Sequence, residues 1–446
     1  MNTGSPLSRQ LIDLLARPIT TSDRERAALH VLDWMGCAAA GLTTPPGQVF
    51  SAYAATLAPG QCPVIGGLSL SASDAALING TMGNVLEMDD FYRTALVHPG
   101  PVVVPAALAM AAATDASGDA FLDAVIKGFE VMIRIGDSVG PRHYRYFHNT
   151  ATCGVFGAAV AAGSLLGLNA DTMVHALGQA GTMASGLWQC RIEDTMSKQL
   201  HTGRAAQSGV MSAQLASMGL TGATQILEGD LGFFNAMCPD GQPENLLVGA
   251  DNPWRIHGTS FKPWPACRHT HATIDAALAL LTCVNTDQIT HIVVKSFRDA
   301  VQVCDRALPV TSVQAKFSLQ HASAITLLFG KPKLEHFSAA YINDETVAAL
   351  RAKVVLEEAS EMTQVYPQHF GSSMHIEHAD GTIVTHTVND ALGDPENPMS
   401  LSQLQEKAAM LLTSAGYDTN TLSELTTAAL ALPGALTIKG LSSLIR

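Results

Sequence analysis

The sequence predicts a mainly α protein: a large helical-bundle domain plus a smaller α+β domain. Three observations carry that expectation. Ala-rich segments punctuated by Gly and Pro run through the first 260 residues. Strand-like and helix-like stretches then alternate up to about residue 395. Helical periodicity returns from there to the C-terminus. The expected division is 1–262 with 396–446 for the large helical domain and 263–395 for the small one.

The elements follow in chain order. Ser22-x-x-Glu25 reads as a capping box, followed by Ala28, Val31, Leu32 and Met35 at helical spacing. Ala-rich helices are expected over 73–88, 100–114, 118–138, 154–166, 170–188 and 198–217. Beyond residue 262, a helix is expected from Thr270 to Leu281, a strand at Ile289–Lys295, a helix at Phe317–Phe329 and a strand at Lys353–Glu357. Ala379-Asp380-Gly381 between Met374–His378 and Thr382–Val388 is a hairpin signal. Asp394-Pro395-Glu396-Asn397-Pro398 breaks the chain before a helix at Leu401–Ser414, with Gly416 as its C-cap.

Composition narrows the function. A chain of 446 residues is too long for one compact core. Hydrophobic residues make up 47% and charged residues 15%, so much surface must be buried, part of it in a subunit interface. The net charge of −13 and the lack of any Lys/Arg run argue against nucleic acid, but leave room for a small anion in a local cationic pocket. PVVVPAALAMAAA is too short to span a bilayer, and CGVFGAAVAAGSLLGL is mostly Ala and Gly, so no membrane role is expected. Eight cysteines without a CxxC pair, and an N-terminus without a signal-peptide pattern, read as reduced thiols in a cytoplasmic protein.

Four patches gather polar groups in apolar surroundings. In LEMDDFYRTALVHPG, Glu87, Asp89, Asp90 and His98 form either a solvated turn or a loop in which an acid tunes a histidine. In HYRYFHNTATCGVFG, Tyr144, Arg145, Tyr146 and His148 precede a small-residue helix that Thr150 or Thr152 would cap; they form a packed lid or an anion-facing site. Lys198, His201 and Thr202 share one helical face, with Lys198 either solvated or, if partly buried, a base or carboxylate anchor.

FKPWPACRHTH is the fourth patch. It holds Lys262, Cys267, Arg268, His269 and His271 without a carboxylate. Lys262 and Arg268 suit carboxylates, and Cys267 beside Arg268 is either an activated thiolate or an ordinary buried thiol. His269-x-His271 has no matching carboxylate series, so no metal is expected, and His271 reads equally as a satisfied buried histidine. Lys, Arg, His and Tyr without a cofactor motif suit proton transfer at a carbon next to a carboxylate. Fixed cations stabilise the charge that develops there.

NGTMGNVLEMDD…HPG…VPAALAMA, FHNTATCGVFGAAVAAGSLLGL, KQLHTGRAAQSGV, KPWPACRHTHATIDAAL, AKFSLQHASA and NPMS together resemble the MmgE/PrpD family over most of the chain. That family includes 2-methylcitrate dehydratase, cis-aconitate decarboxylase and iminodisuccinate epimerase. The resemblance implies a cofactor-independent homodimer acting on a small anionic polycarboxylate, with an active site between its domains. By motif the site comprises Asp90, His98, His148, Lys198, Lys262, Cys267 and His271. Lys198 and Lys262 anchor carboxylates, and His98 and His148 handle protons. Tyr146, next to a second tyrosine that the dehydratases do not usually have, is an extra proton carrier, and Arg268 and His269 complete the binding set. The decarboxylase branch has a His in place of Cys267. The chain is most similar to the iminodisuccinate epimerase branch, so epimerisation of iminodisuccinate is the expected reaction. A 2-methylcitrate-type dehydratase is the alternative, and a non-catalytic anion-binding dimer the distant one.

Overall fold

In the computed structural model, which describes residues 5–193 and 195–445, helices dominate and the strands form two small sheets. The chain divides into two compact units: the residues up to Thr259 together with those from Ser400 onward, and Ser260–Met399.

The first unit is a helical bundle. Gly100–Thr114 and Asn149–Leu165 are buried on nearly every side, so they show no polar stripe and form the centre of the core. Gly118–Gly136 and Ser197–Ser217 pack on Asn149–Leu165, and Ala72–Gly83 packs on Gly100–Thr114 and Ser197–Ser217. Small residues let these helices approach closely. A Cβ on Gly209 would lie 2.4 Å from the Ala158 Cβ and 2.6 Å from the Ala159 nitrogen, so the crossing requires glycine. No helix among the described residues is long and apolar enough to cross a membrane.

The capping box sits two residues earlier than expected. Thr20 Oγ1 accepts from the Asp23 N–H, and Asp23 Oδ2 accepts from the Thr20 N–H, so the helix runs Thr21–Gly41. Both pairs fit the pattern. The earlier one prevails by adding residues to the helix and by letting Asp23 Oδ1 also meet His257 Nε2 at 2.7 Å. Leu401–Ser414 packs on Thr21–Gly41. There the buried Lys407 Nζ reaches Asp33 Oδ1 at 2.5 Å and the Met88 carbonyl at 2.6 Å.

The second unit holds a four-stranded sheet in the order Val354–Glu358, Ile289–Ser296, Ser372–His378, Ile383–Val388. The first pair is parallel and the other two are antiparallel. The expected hairpin forms, with Gly381 at φ +82° and the Thr382 N–H donating to Asp380 Oδ1 at 2.8 Å. His271–Leu280 and Leu319–Phe329 pack together, and Ile292, Val294, Met374 and Ile376 give the sheet its buried face.

Truncating one member of a buried ion pair leaves the other without compensation, at about 3–5 kcal/mol. Lys407→Ala is therefore expected to lower stability by that amount in urea unfolding. A Lys407→Met/Asp33→Leu double substitution should recover most of the loss. An unchanged midpoint in the single variant would contradict the assignment.

Candidate active site

The loop between Gly83 and Gly100 brings carboxylates into the core of the first unit. Glu87 (φ +60°) and Leu96 (φ +53°) take left-handed conformations, each at about 1–2 kcal/mol. A bridge from the Tyr92 N–H to the Val97 carbonyl (2.9 Å) closes the loop just before His98. Asp90 is buried. Its Oδ2 lies 2.7 Å from His30 Nδ1, and its Oδ1 accepts from the Gly100 N–H at 2.8 Å. A Cβ at residue 100 would sit 2.8 Å from Asp90 Oδ1, so glycine permits this approach. Burial pushes the Asp90 carboxyl up to about 7 against the pull of the Gly100 N–H. Burial also holds His30 well below the usual imidazole range.

His98 Nδ1 lies 2.8 Å from the Asp90 carbonyl oxygen and 3.0 Å from Asp89 Oδ2. A carbonyl only accepts, so Nδ1 carries hydrogen and the neutral ring keeps its lone pair on Nε2. Asp89 is itself fixed by Asn84 Nδ2 at 2.6 Å, and Phe91 packs beside the ring at 5.1 Å between centroids.

The His148 ring centroid is 6.5 Å from that of His98. Its Nδ1 is 3.3 Å from His201 Nδ1, and Trp188 covers the ring at 4.3 Å. Burial, followed by the Lys198 charge, keeps His148 well below the ordinary histidine range and lowers His201 to about 4. Lys198 pairs with Glu87 Oε1. Asp90, His98, His148 and Lys198 thus fall in one neighbourhood of this unit. A cavity of about 470 Å³ lined by Ser185, Gly186, Cys190, Ser197, His201 and Arg204 adjoins it through His201.

The expected helix caps in this region do not form. Neither Thr150 nor Thr152 caps its helix. His148 is the N-cap residue and has no side-chain cap bond. Thr150 Oγ1 accepts from the His98 N–H at 3.1 Å, and Thr152 Oγ1 meets His143 Nε2 at 2.8 Å, so both hydroxyls serve histidines instead. Tyr146 is 58% exposed, with the Arg145 guanidinium 5.5 Å from its ring centroid.

The second unit carries Lys262, Cys267, Arg268, His269 and His271. Lys262 is buried. Arg268 pairs with Asp394 at 2.5 Å and donates to the Leu392 carbonyl at 3.3 Å. The apparent excess of positive charge in this segment is therefore partly neutralised by a residue more than a hundred positions away. His271 Nε2 lies 3.1 Å from the Ala266 carbonyl and its Nδ1 3.1 Å from Arg268 Nη1, the satisfied buried arrangement. His269 points elsewhere, with Nδ1 3.3 Å from Cys267 Sγ, so the two histidines do not act as a pair. The Cys267 thiol is held well below its ordinary value, first by a hydrogen bond from Cys304 and, against burial, by His269.

Sequence reasoning missed His30, Trp188 and Cys304. His30 and Cys304 lie on helices and Trp188 in a turn, each far along the chain from the groups it meets, and no local pattern marks them.

The MmgE/PrpD N-terminal domain matches residues 8–246 and the MmgE/PrpD C-terminal domain residues 264–428. The chain is 30% identical over 416 residues to a cis-aconitate decarboxylase of Aspergillus terreus, covering 86% of this chain and 84% of that protein. It is 29% identical over 408 residues to the human cis-aconitate decarboxylase, covering 86% and 82%. A cis-aconitate decarboxylase-like protein of Aspergillus oryzae is 26% identical over 476 aligned positions, covering 100% and 97%. With both domains matched in order over most of its length, the chain belongs to the MmgE/PrpD family.

Proposed function

We propose that the chain is a lyase that removes CO2 from a small unsaturated tricarboxylate, cis-aconitate or a close analogue. The observation that carries this reading is His98, whose Nδ1 is committed to Asp89 and Asp90 while Nε2 remains for a proton. Breaking a carbon–carboxylate bond leaves its electron pair on carbon. That pair spreads into the adjacent double bond and carboxylate until a proton, first taken from solvent onto His98 Nε2 or onto His148, is delivered to carbon, so the substrate loses CO2 and gains H⁺. Lys198 anchors a carboxylate in competition with Glu87. The His148–His201 contact offers the proton a route out of the cluster.

The matched relatives are named for decarboxylation, so the lyase alternative replaces the epimerase expectation. Proton transfer next to a carboxylate is common to both. One observation favours a second reading, loss of water from a 2-methylcitrate-type substrate. Cys267 stands where the decarboxylase branch is expected to have a histidine.

Incubation in heavy water followed by NMR separates the readings. Cis-aconitate should release CO2 and take up one deuterium on carbon. Alkene formation from 2-methylcitrate without CO2 would establish the second reading instead. Stereoisomer exchange of iminodisuccinate alone, or binding without turnover, would overturn both. With the active substrate, His98→Asn and Lys198→Ala should each lower kcat/KM by at least about 100-fold. Tyr146→Phe, which alters an exposed phenol, should change it less than about threefold.

The lowered His201 sets a pH dependence. A group whose folded value is depressed contributes stability that is present above its unfolded value and lost as pH falls through the folded one. For His201 that window runs from 6.5 down to about 4. Thermal unfolding should therefore show a decline across this range that is shallower in His201→Asn. Equal slopes in the two proteins would contradict the neutral ring.

A further inference from the structure

The geometry points to a metal site of the zinc class in the second unit, formed by Cys267 Sγ, His269 and Cys304 Sγ. These donor atoms all lie within 4.8 Å of one another. Cys267 precedes the Arg268–Thr270 turn, and Cys304 closes the Arg298–Cys304 helix, so two separate elements converge. Tetrahedral zinc, with Zn–S about 2.3 Å and Zn–N about 2.0 Å, sets donor separations of roughly 3.3–3.8 Å. Cys267 Sγ and His269 Nδ1 already stand 3.3 Å apart.

Two sulfurs and an imidazole are a borderline-soft set. They favour Zn²⁺ or Co²⁺ over Mg²⁺ or Ca²⁺, which take oxygen. The surroundings are built to hold such donors. Both thiols are buried. The Cys267 N–H donates to the Lys316 carbonyl at 2.9 Å, fixing the backbone beneath the sulfur. Phe297 and Phe370 each lie 5.4 Å from the His269 ring and Tyr366 lies 6.4 Å away, which restricts ring rotation. Three protein donors leave a fourth position for water or an anion oxygen. The other three-donor group found among the described residues, His369, Asp390 and Glu396, is oxygen-rich and partly exposed. The zinc-class site would tie the Phe261–His271 segment to the Arg298–Cys304 helix. It lies outside the proton chemistry proposed above and needs no substrate to be detected.

The test uses the full chain, reduced, stripped with chelator and titrated with Co²⁺. One equivalent should bind per chain, with a thiolate-to-cobalt charge-transfer band and the visible bands of a tetrahedral ion. Cys304→Ser and His269→Gln should each weaken binding at least about tenfold, with circular dichroism confirming that both fold. Cys283→Ser, at an exposed thiol, should leave binding unchanged. Three results would each overturn the assignment: absence of the band, a cobalt affinity unchanged by Cys304→Ser, or a Cys267–Cys304 disulfide forming in air in protein that takes up no metal when reduced. Because the readout is binding, failure of the CO2 assay leaves it intact.

Discussion

Burial of acidic side chains inside an apolar helical core is the constraint around which the first unit is arranged. Asp33, Asp89 and Asp90 are all buried. A carboxylate taken out of water without compensation costs several kcal/mol. Each therefore commands a donor: Lys407 for Asp33, Asn84 and His98 for Asp89, and His30 with the Gly100 N–H for Asp90. The loop from Asn84 to Pro99 cannot relax toward a more ordinary backbone without breaking several of these bonds. That accounts for two non-glycine residues held at positive φ.

The same burial decides what the histidines can do. A ring in water would be partly protonated near neutrality, but the cost of charging a desolvated imidazole keeps His148 and His201 neutral. Positive charge near them comes from Lys198, while the rings remain able to give or take a proton. Anchoring a polyanion and moving hydrogen are thereby assigned to different side chains. Small residues make this possible, because they let Ser197–Ser217 and Asn149–Leu165 approach closely enough to set Lys198 and His201 of one helix beside His148, which precedes the other.

Much of this was legible in the residue pattern. Helix periodicity and Gly/Pro punctuation located most of the helices, and the Asp-Gly turn located the hairpin, because these signals are local. The capping box was misplaced because two Ser/Thr-x-x-acid pairs overlap and only tertiary contacts choose between them. Asp90, His98, His148 and Lys198 could be nominated because each stands out against apolar neighbours. Arg268 was assigned to a substrate's carboxylates because its partner within the chain, Asp394, lies far along the sequence. Cys304 escaped notice for the same reason: spacing rules find ligands that share a turn, whereas this thiol meets Cys267 only through folding.

The contact between Lys407 and Asp33 also bears on biosynthesis. Asp33 and Met88 emerge from the ribosome long before Lys407, which meets both the Asp33 carboxylate and the Met88 carbonyl from more than 300 positions further along the chain. A nascent bundle would have to hold a carboxylate in its interior without its counter-ion until translation has passed residue 407. The Leu401–Ser414 helix thus closes a packing step begun at Thr21–Gly41, and a chain cut short before it would be left with Asp33 uncompensated in its core.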